Sequence, residues 1–173
     1  MHKTNNFDFL RFVLASFVVF THSYALTGNY ECDVFCQLFN GQSQLSYIGV
    51  RCFFVISGYL IFQSVIRSKS LVNYFWNRIL RIFPALITAL VLSVCFCYFA
   101  YQGINSYWSN SSTQSYIPNN ILLFKGQGFI DGVFINNRYR PAINGSLWTI
   151  RYEFVGYILL SLFFFIKEKR KLL

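Results

Sequence analysis

The sequence has little charge for its size, since only 12% of its 173 residues are Asp, Glu, Lys or Arg. A soluble domain normally carries about twice that fraction. In contrast, 55% of the residues are hydrophobic and 21% are aromatic. So much apolar surface can be covered only by lipid, or by other helices within lipid. The scarcity of charge therefore excludes an ordinary soluble domain and predicts an integral membrane protein.

The sequence also lacks a basic patch with interleaved aromatic residues, although its formal net charge is +9. Such a patch would be expected of a nucleic-acid-binding surface. The basic residues lie between apolar runs instead, which is typical of membrane proteins. We therefore expect membrane lipid as a partner and no nucleic acid.

A cleavable signal peptide is missing as well. The first apolar run contains Asp8 and Arg11, and no small-residue cleavage site follows it, so this run is interpreted as a retained span. The chain shows neither an internal repeat nor a low-complexity linker.

The five cysteines do not form a metal-binding pattern. Cys32 and Cys36 share a short polar loop and could form a disulfide if that loop is extracytoplasmic. A C-x3-C pair is weak evidence for zinc, so no metal site is predicted. Cys52, Cys95 and Cys97 lie inside apolar runs and are interpreted as small buried hydrophobic residues.

Four stretches are long enough to cross a hydrocarbon core, which takes about 20 helical residues. They cover about residues 7–26, 46–66, 82–101 and 147–166. The predicted fold is all-α, a polytopic transmembrane helical bundle of about four spans that forms a single domain over residues 1–173. Residues 102–146 form a long polar connection rich in Asn, Ser, Gly and Tyr, which we expect to be extracytoplasmic and to fold over the bundle.

The basic residues predict the orientation of the spans. The connection at 27–45 has no Lys or Arg, whereas the connection at 67–81 has four. Lys3 precedes the first span, and a basic tail begins at Lys167. Both termini and the 67–81 connection are therefore predicted to be cytoplasmic, in a multi-pass protein of the inner (plasma) membrane.

Ionisable residues at membrane depth are costly and indicate a functional site. With a rise of about 1.5 Å per residue, Arg11 lies about 6 Å inside the cytoplasmic edge and His22 about 22 Å inside it. Their separation of eleven residues is close to three turns, so both face the same way. Arg51 and Glu153 lie about 7 and 9 Å below the outer edge by the same rise, in one layer with His22.

A second layer, nearer the cytoplasm, contains Arg11, Arg78 and Arg81, about 16 Å from the first. Arg78 and Arg81 are three residues apart and would share one helix face. A cationic inner layer and a His–Glu outer layer favour a phosphate-bearing donor that reaches up through the bundle.

Each of these residues also has a purely structural interpretation. The arginines of the 67–81 connection could be positive-inside anchors, and Arg11 could snorkel to the interface. His22 could be a hydrogen-bonded packing residue. Arg51 and Glu153 could form a structural ion pair between helices.

Four motifs, in this order along the chain, resemble the membrane-bound acyltransferase-3 family, which includes O-acetylases of bacterial surface polysaccharides. Arg11 and His22 match its Arg-x10-His signature. Residues 49–60 (GVRCFFVISGYL) resemble its G-V-x-x-F-F-x-x-S-G-Y/F-L motif, and residues 78–84 (RILRIFP) resemble R-x-x-R-I-x-P. Residues 146–154 (SLWTIRYEF) resemble S-L-W-x-L-x-x-E-F. Together the motifs cover nearly the whole chain.

The resemblance implies a membrane O-acyltransferase that moves acetyl from cytoplasmic acetyl-CoA to a hydroxyl of a surface or lipid-linked polysaccharide, such as the O-antigen of lipopolysaccharide. His22 would be the base, which removes the hydroxyl proton or handles the acyl group directly, and Glu153 would orient the imidazole. The donor would be held by Arg11, Arg78, Arg81, Ser57 and Gly58. Ser57 and Gly58 would also let helices approach closely. The acceptor would be bound near Arg51 and Trp148.

Acetyl-CoA would be a donor substrate, and no bound cofactor is expected. Family members usually have more spans and a longer chain, so we expect this chain to hold the N-terminal part and a separate C-terminal half to complete the enzyme. The alternative is an inactive or non-catalytic membrane fragment, or a partner subunit of such an enzyme.

Overall fold

The computed structural model describes residues 6–27, 32–123, 125–137 and 141–169, with side chains described as far as residue 165. The charges of Lys3, Glu31, Arg138 and Arg140, and the basic tail from Lys167, lie outside the described side chains. The chain divides into two compact units, Met1–Leu60 and Ile61–Leu173.

The described residues form six α-helices and contain no β-strand, apart from one isolated bridge between Tyr101 and Val133. Four helices are long and apolar enough to cross a membrane, which confirms the predicted all-α membrane fold. The helices are α1 (Phe7–Leu26), α2 (Val34–Leu38), α3 (Leu45–Arg67), α4 (Leu71–Cys97), α5 (Ser111–Ile121) and α6 (Leu147–Lys169).

In the N-terminal unit, α1 runs antiparallel to α3. Phe7 packs against Tyr59, with ring centroids 5.8 Å apart. Gly49 faces the Leu14 carbonyl so closely that a Cβ atom there would lie 2.8 Å from the carbonyl oxygen. The absent side chain of Gly49 therefore allows the two helix backbones to approach.

The sequence placed this close approach at Ser57 and Gly58, and that prediction is wrong within the N-terminal unit. A Cβ atom at Gly58 would meet no described atom within 4 Å. A glycine in an apolar helix can mark tight packing, but which glycine does so depends on the rotation of the helix, which the sequence motif does not show.

In the C-terminal unit, α4 begins at Leu71, eleven residues before the start of the predicted third span at residue 82. Ser70 caps the helix by accepting a hydrogen bond from the Asn73 N–H group. Pro84 lies inside α4 and does not end it. The segment that carries Arg78 is therefore helical, and most of the predicted polar connection belongs to the span.

The 102–146 connection is partly helical, because α5 lies within it and packs on the C-terminal end of α4. The Tyr107 hydroxyl donates a hydrogen bond to the Val94 carbonyl of α4 at 2.7 Å. Around this contact, Leu90, Tyr116 and Ile130 form a buried apolar core. The connection thus folds onto the end of α4 within its own unit.

The structure joins Cys32 and Cys36 by a disulfide. Cys97 is buried, as predicted, but Cys52 and Cys95 are exposed on their helices. The prediction of burial is wrong for these two because the apolar outer face of a membrane helix can lie against lipid, so an apolar run does not indicate which residues face inward.

Candidate active site

His22 follows the buried Thr21 near the end of α1, and its own side chain is exposed. Its Nδ1 atom lies 2.8 Å from the backbone carbonyl oxygen of Val18, one turn earlier. A carbonyl oxygen can only accept, so Nδ1 is the donor in this hydrogen bond. In the neutral ring the proton is therefore on Nδ1, and Nε2 carries the free lone pair. His22 thus presents a basic nitrogen of the kind that a general base needs.

Arg11 and His22 lie on one uninterrupted helix, about 16 Å apart along its axis. Arg11 is half-buried, and its Nε atom is buried without a hydrogen-bond partner among the described residues. The two ends of α1 therefore differ in chemistry, with a guanidinium group at one end and an imidazole near the other.

Thr21 and the loop residue Asp33 form a buried hydrogen-bonded network beside His22. The Thr21 hydroxyl donates to Asp33 Oδ2 and accepts from the Ser46 N–H group at 3.0 Å. Asp33 also accepts from the Cys36 N–H group at 2.8 Å and the Leu45 N–H group at 2.9 Å. This network, which we call the outer clasp, joins α1, α2 and the first turn of α3.

Asp33 is completely buried. Burial acts against its ionisation, but the hydrogen bonds from Thr21, Cys36 and Leu45 outweigh this effect and hold the pKa of Asp33 below its ordinary value of 3.8. The outer clasp therefore contains a carboxylate in the neutral pH range.

The pairing of α1 with α3 places Arg51 at a different level along the helices from the level that was predicted. Ser46 is level with Thr21, so Arg51, five residues further along the antiparallel α3, lies about 8 Å deeper. The predicted common layer with His22 is therefore wrong for Arg51, because α1 extends past the start of α3. Arg51 is exposed, and its guanidinium group stacks over the Tyr47 ring at 4.4 Å from the centroid.

Ser57 and Gly58 are half-buried near the other end of the N-terminal unit. Because Phe7 packs against Tyr59, the antiparallel pairing brings Ser57 and Gly58 to within about one turn of the level of Arg11. Their predicted part in binding the donor remains a prediction.

In the C-terminal unit, Tyr157 links Glu153, which was predicted to be a catalytic residue, to α4. The Tyr157 hydroxyl donates to Glu153 Oε1 at 2.6 Å. The Tyr74 hydroxyl of α4 donates to the Tyr157 backbone carbonyl at 3.1 Å. Both tyrosines are buried, so these bonds fix α4 and α6 at one level.

Arg78 is buried between these two rings and is only 7% exposed. Its guanidinium carbon lies 5.6 Å from the Tyr74 centroid and 5.4 Å from the Tyr157 centroid. Its Nε atom has no hydrogen-bond partner, and no described carboxylate of this unit forms an ion pair with it. Aromatic faces compensate a buried cation only in part, so the described residues of this unit leave the charge of Arg78 incompletely compensated.

Arg81 is exposed and lies nearly one turn further along α4 than Arg78. The predicted separation of about 16 Å between the layers is wrong within this unit, because a single residue, Tyr157, contacts both Arg78 and Glu153. The prediction failed because it began the helix after Arg81, whereas α4 begins at Leu71 and carries both arginines into the span.

Trp148 is half-exposed near the start of α6 and packs edge-on against Tyr152. Arg151, which the sequence analysis did not select, lies against Gly126 of the 102–146 connection. A Cβ atom at Gly126, where φ is +44°, would lie almost on the Arg151 Nη2 atom. The sequence signal for Arg151 was its position in the 146–154 motif, as a cation two residues before Glu153.

The structure thus brings Arg78 and Glu153 together around Tyr157, with Arg81 nearly one turn further along α4, and it places His22 beside the outer clasp. His22 and Glu153 belong to different units, so their predicted cooperation remains a prediction. The sequence analysis missed Tyr74, Tyr157 and the clasp residues, because their roles arise from contacts between helices and not from any sequence spacing.

Comparison with known proteins identifies the family. The sequence profile of the acyltransferase-3 family, described as an acyltransferase domain, matches residues 4–173. The chain is 37% identical over 165 residues to an O-acetyl transferase of Shigella phage Sf6, and the match covers 92% of this chain and 45% of that protein. It is 40% identical over 95 residues to nodulation protein 10 of Rhizobium leguminosarum bv. viciae, covering 51% of this chain and 23% of that protein.

The chain therefore spans less than half the length of these two relatives. No solved structure matches it. The profile match extends over nearly every residue and includes all four motifs found in the sequence. The resemblance inferred from those motifs is confirmed: the chain belongs to the acyltransferase-3 family.

Proposed function

We propose that this chain is the N-terminal catalytic part of a membrane O-acetyltransferase, which moves acetyl from acetyl-CoA to a hydroxyl group of a surface or lipid-linked polysaccharide. The proposal is supported by family membership and by the phage relative, which is named an O-acetyl transferase. The observation that carries it is the hydrogen bond from His22 Nδ1 to the Val18 carbonyl, which leaves Nε2 as the basic nitrogen of the neutral imidazole.

His22 is the proposed general base. Its Nε2 atom removes the proton of the acceptor hydroxyl while the hydroxyl oxygen attacks the thioester carbonyl carbon. A C–O ester bond forms, the C–S bond breaks, and the leaving thiolate takes the proton from His22. The imidazole is neutral again at the end of the cycle, and free coenzyme A leaves as a thiol.

The arginines are the proposed binding groups for the phosphates of the donor. Arg78 is a buried cation without a carboxylate partner among the described residues of its unit, and Arg81 lies one turn away on the same helix. A guanidinium group offers several N–H donors in a fixed geometry that suits phosphate oxygens. Arg11, whose Nε atom also has no hydrogen-bond partner in the part of the chain that the structure describes, is the third candidate.

The Cys32–Cys36 disulfide supports the orientation inferred from the basic residues. Disulfides persist in oxidising compartments and are rare in the cytosol. The connection between α1 and α3 is therefore proposed to face outward, with His22 near the outer surface and both termini in the cytoplasm. This orientation favours an acceptor outside the inner membrane and a donor that enters from the cytoplasm.

The remaining predicted residues keep narrower proposed roles. Glu153, held by the Tyr157 hydroxyl, is the second catalytic candidate. Arg51 and Trp148 are proposed to contact the acceptor, because both are exposed and each lies beside an aromatic ring of the kind that can pack against a sugar.

The test uses a bacterial strain that lacks acetylation of its surface glycan. The chain is expressed alone and together with the reading frame that follows it, and glycan-bound acetyl is measured by mass spectrometry. We expect acetyl to appear in at least one of these strains and to disappear with His22→Ala, while Ser23→Ala, an exposed neighbour, retains it. If acetyl appears in neither strain although the protein is inserted in the membrane, the proposal is wrong and the chain is a non-catalytic fragment.

A further inference from the structure

The outer clasp lies directly beside the proposed base. Thr21, near the end of α1, is 1% exposed, and Asp33, the residue that caps the short helix α2, is 0% exposed, although both are polar. Buried polar groups are costly unless their hydrogen bonds are satisfied. Here the Thr21 hydroxyl makes one bond as a donor and one as an acceptor, so its bonding in the clasp is satisfied in both directions.

The clasp determines the rotation of α1 about its axis. Thr21 contacts Asp33 on one side and the Ser46 N–H group on the other, which fixes the direction of its side chain. His22 is the next residue, so its direction lies about 100° further around the same helix. A rotation of α1 that moved His22 would break both hydrogen bonds of Thr21.

Asp33 accepts the remaining hydrogen bonds of the clasp. It caps α2 through the Cys36 N–H group and binds the Leu45 N–H group at the start of α3. The Cys32–Cys36 disulfide encloses Asp33 in the sequence and holds the backbone around it. A short loop between two membrane helices needs none of these buried contacts merely to connect them.

We propose that Asp33 and Thr21 are positioning residues for His22: the outer clasp fixes the end of α1 against α3 so that the imidazole points at the acceptor hydroxyl. This inference rests on the proposed function. Asp33 does not contact His22 and acts only through Thr21. A misplacement of about 1 Å at a reacting group can lower a rate by about 10²-fold.

The first test compares two substitutions of Thr21 in the active form of the protein. Thr21→Val has nearly the same shape but no hydroxyl, whereas Thr21→Ser keeps the hydroxyl. We expect Thr21→Val and Asp33→Ala each to lower kcat by about 10²-fold with little change in KM for acetyl-CoA, and Thr21→Ser to remain near wild type. The double variant should be no slower than either single variant, because the two substitutions disrupt the same hydrogen-bond network.

Ser70→Ala controls for a purely structural effect, since Ser70 caps α4 in the other unit. Ser70→Ala shows how much kcat falls for a given fall in unfolding temperature. If kcat in the Thr21 and Asp33 variants falls no further than this relation predicts, the clasp is merely structural and the inference is wrong. If His22→Ala leaves activity intact, the proposed function fails instead, so the two failures can be distinguished.

A second measurement does not depend on activity. His22 can be made the single histidine by His2→Gln and labelled with ¹⁵N, so that its two ring nitrogens report the tautomer. The bond from Nδ1 to the Val18 carbonyl lies within α1, so we expect the Nδ1–H form in the parent protein and in every variant. The ¹⁵N chemical shifts of the ring should nevertheless change in Thr21→Val and Asp33→Ala, but not in Ser70→Ala, because a rotated α1 places the imidazole in different surroundings. Unchanged ring shifts together with an unchanged kcat in the clasp variants would overturn the inference.

Discussion

Gly49 and Gly58 lie on the same helix and give a matched pair of substitutions to alanine. At Gly49 the new Cβ atom would lie 2.8 Å from the Leu14 carbonyl oxygen and 3.2 Å from Val18 Cγ2, whereas at Gly58 it would meet no atom within 4 Å. Because the nearest atom at Gly49 belongs to the backbone, α1 or α3 must move by several tenths of an ångström. A rotamer change cannot relieve this contact.

The size of the effect follows from two terms. Replacing glycine by alanine inside a helix gains about 1 kcal/mol in helix propensity at either position. Overpacking a tight contact costs about 1–3 kcal/mol, and this term applies only to Gly49→Ala. The propensity term cancels in the comparison, so Gly49→Ala should be less stable than Gly58→Ala by about 1–3 kcal/mol.

The assay is thermal unfolding of the detergent-solubilised protein, followed by its helical circular dichroism signal. Gly49→Ala should unfold at a lower temperature than Gly58→Ala, and Gly58→Ala should equal or exceed the wild type. Equal unfolding temperatures for the two variants would refute the close approach of α1 and α3 at Gly49.

Three further predictions concern charge, pH and the disulfide. Arg78→Met should raise KM for acetyl-CoA more than Arg78→Lys does, as measured by initial rates, because only lysine keeps a cation for the phosphates; equal values would remove Arg78 from the donor site. Burial raises the pKa of Tyr107 and of Tyr116 to about 12, so their contribution to stability is complete below about pH 10 and is lost as the pH rises towards 12. Tyr116→Phe should therefore lose less stability at alkaline pH than the wild type does, as measured by thermal unfolding. An unaltered pH dependence would contradict the assignment. Cys36→Ser should lower the free energy of unfolding by about 2 kcal/mol in denaturant titrations, and a reductant should have the same effect on the wild type but none on the variant.

The helical membrane fold could be predicted from the sequence, because long apolar runs indicate spans directly. The sequence also led us to select His22 and Arg78 as candidate site residues, because ionisable side chains are costly in a membrane helix; their roles remain predictions. The start of α4 was missed because the segment before residue 82 is polar enough to resemble a connection. In the structure, that segment is helical from the Ser70 cap onward.

Contacts between helices could not be predicted in the same way. The stacking of Arg78 on Tyr157 depends on the rotation of α4 and α6, and the clasp of Asp33 on Thr21 depends on how a loop folds back. Neither contact has a characteristic sequence spacing. The same reason explains why the tight glycine was predicted at Gly58 and found at Gly49.

The central claim is that His22 is the base of an acetyl transfer, and the most direct test is the rate of that transfer from labelled acetyl-CoA. Rates would be measured in membranes with equal amounts of wild-type, His22→Ala and Ser23→Ala protein. Loss of a general base should lower the rate by about 10²–10⁴-fold in His22→Ala, while Ser23→Ala stays near the wild type. A His22→Ala rate equal to that of the wild type would contradict the account.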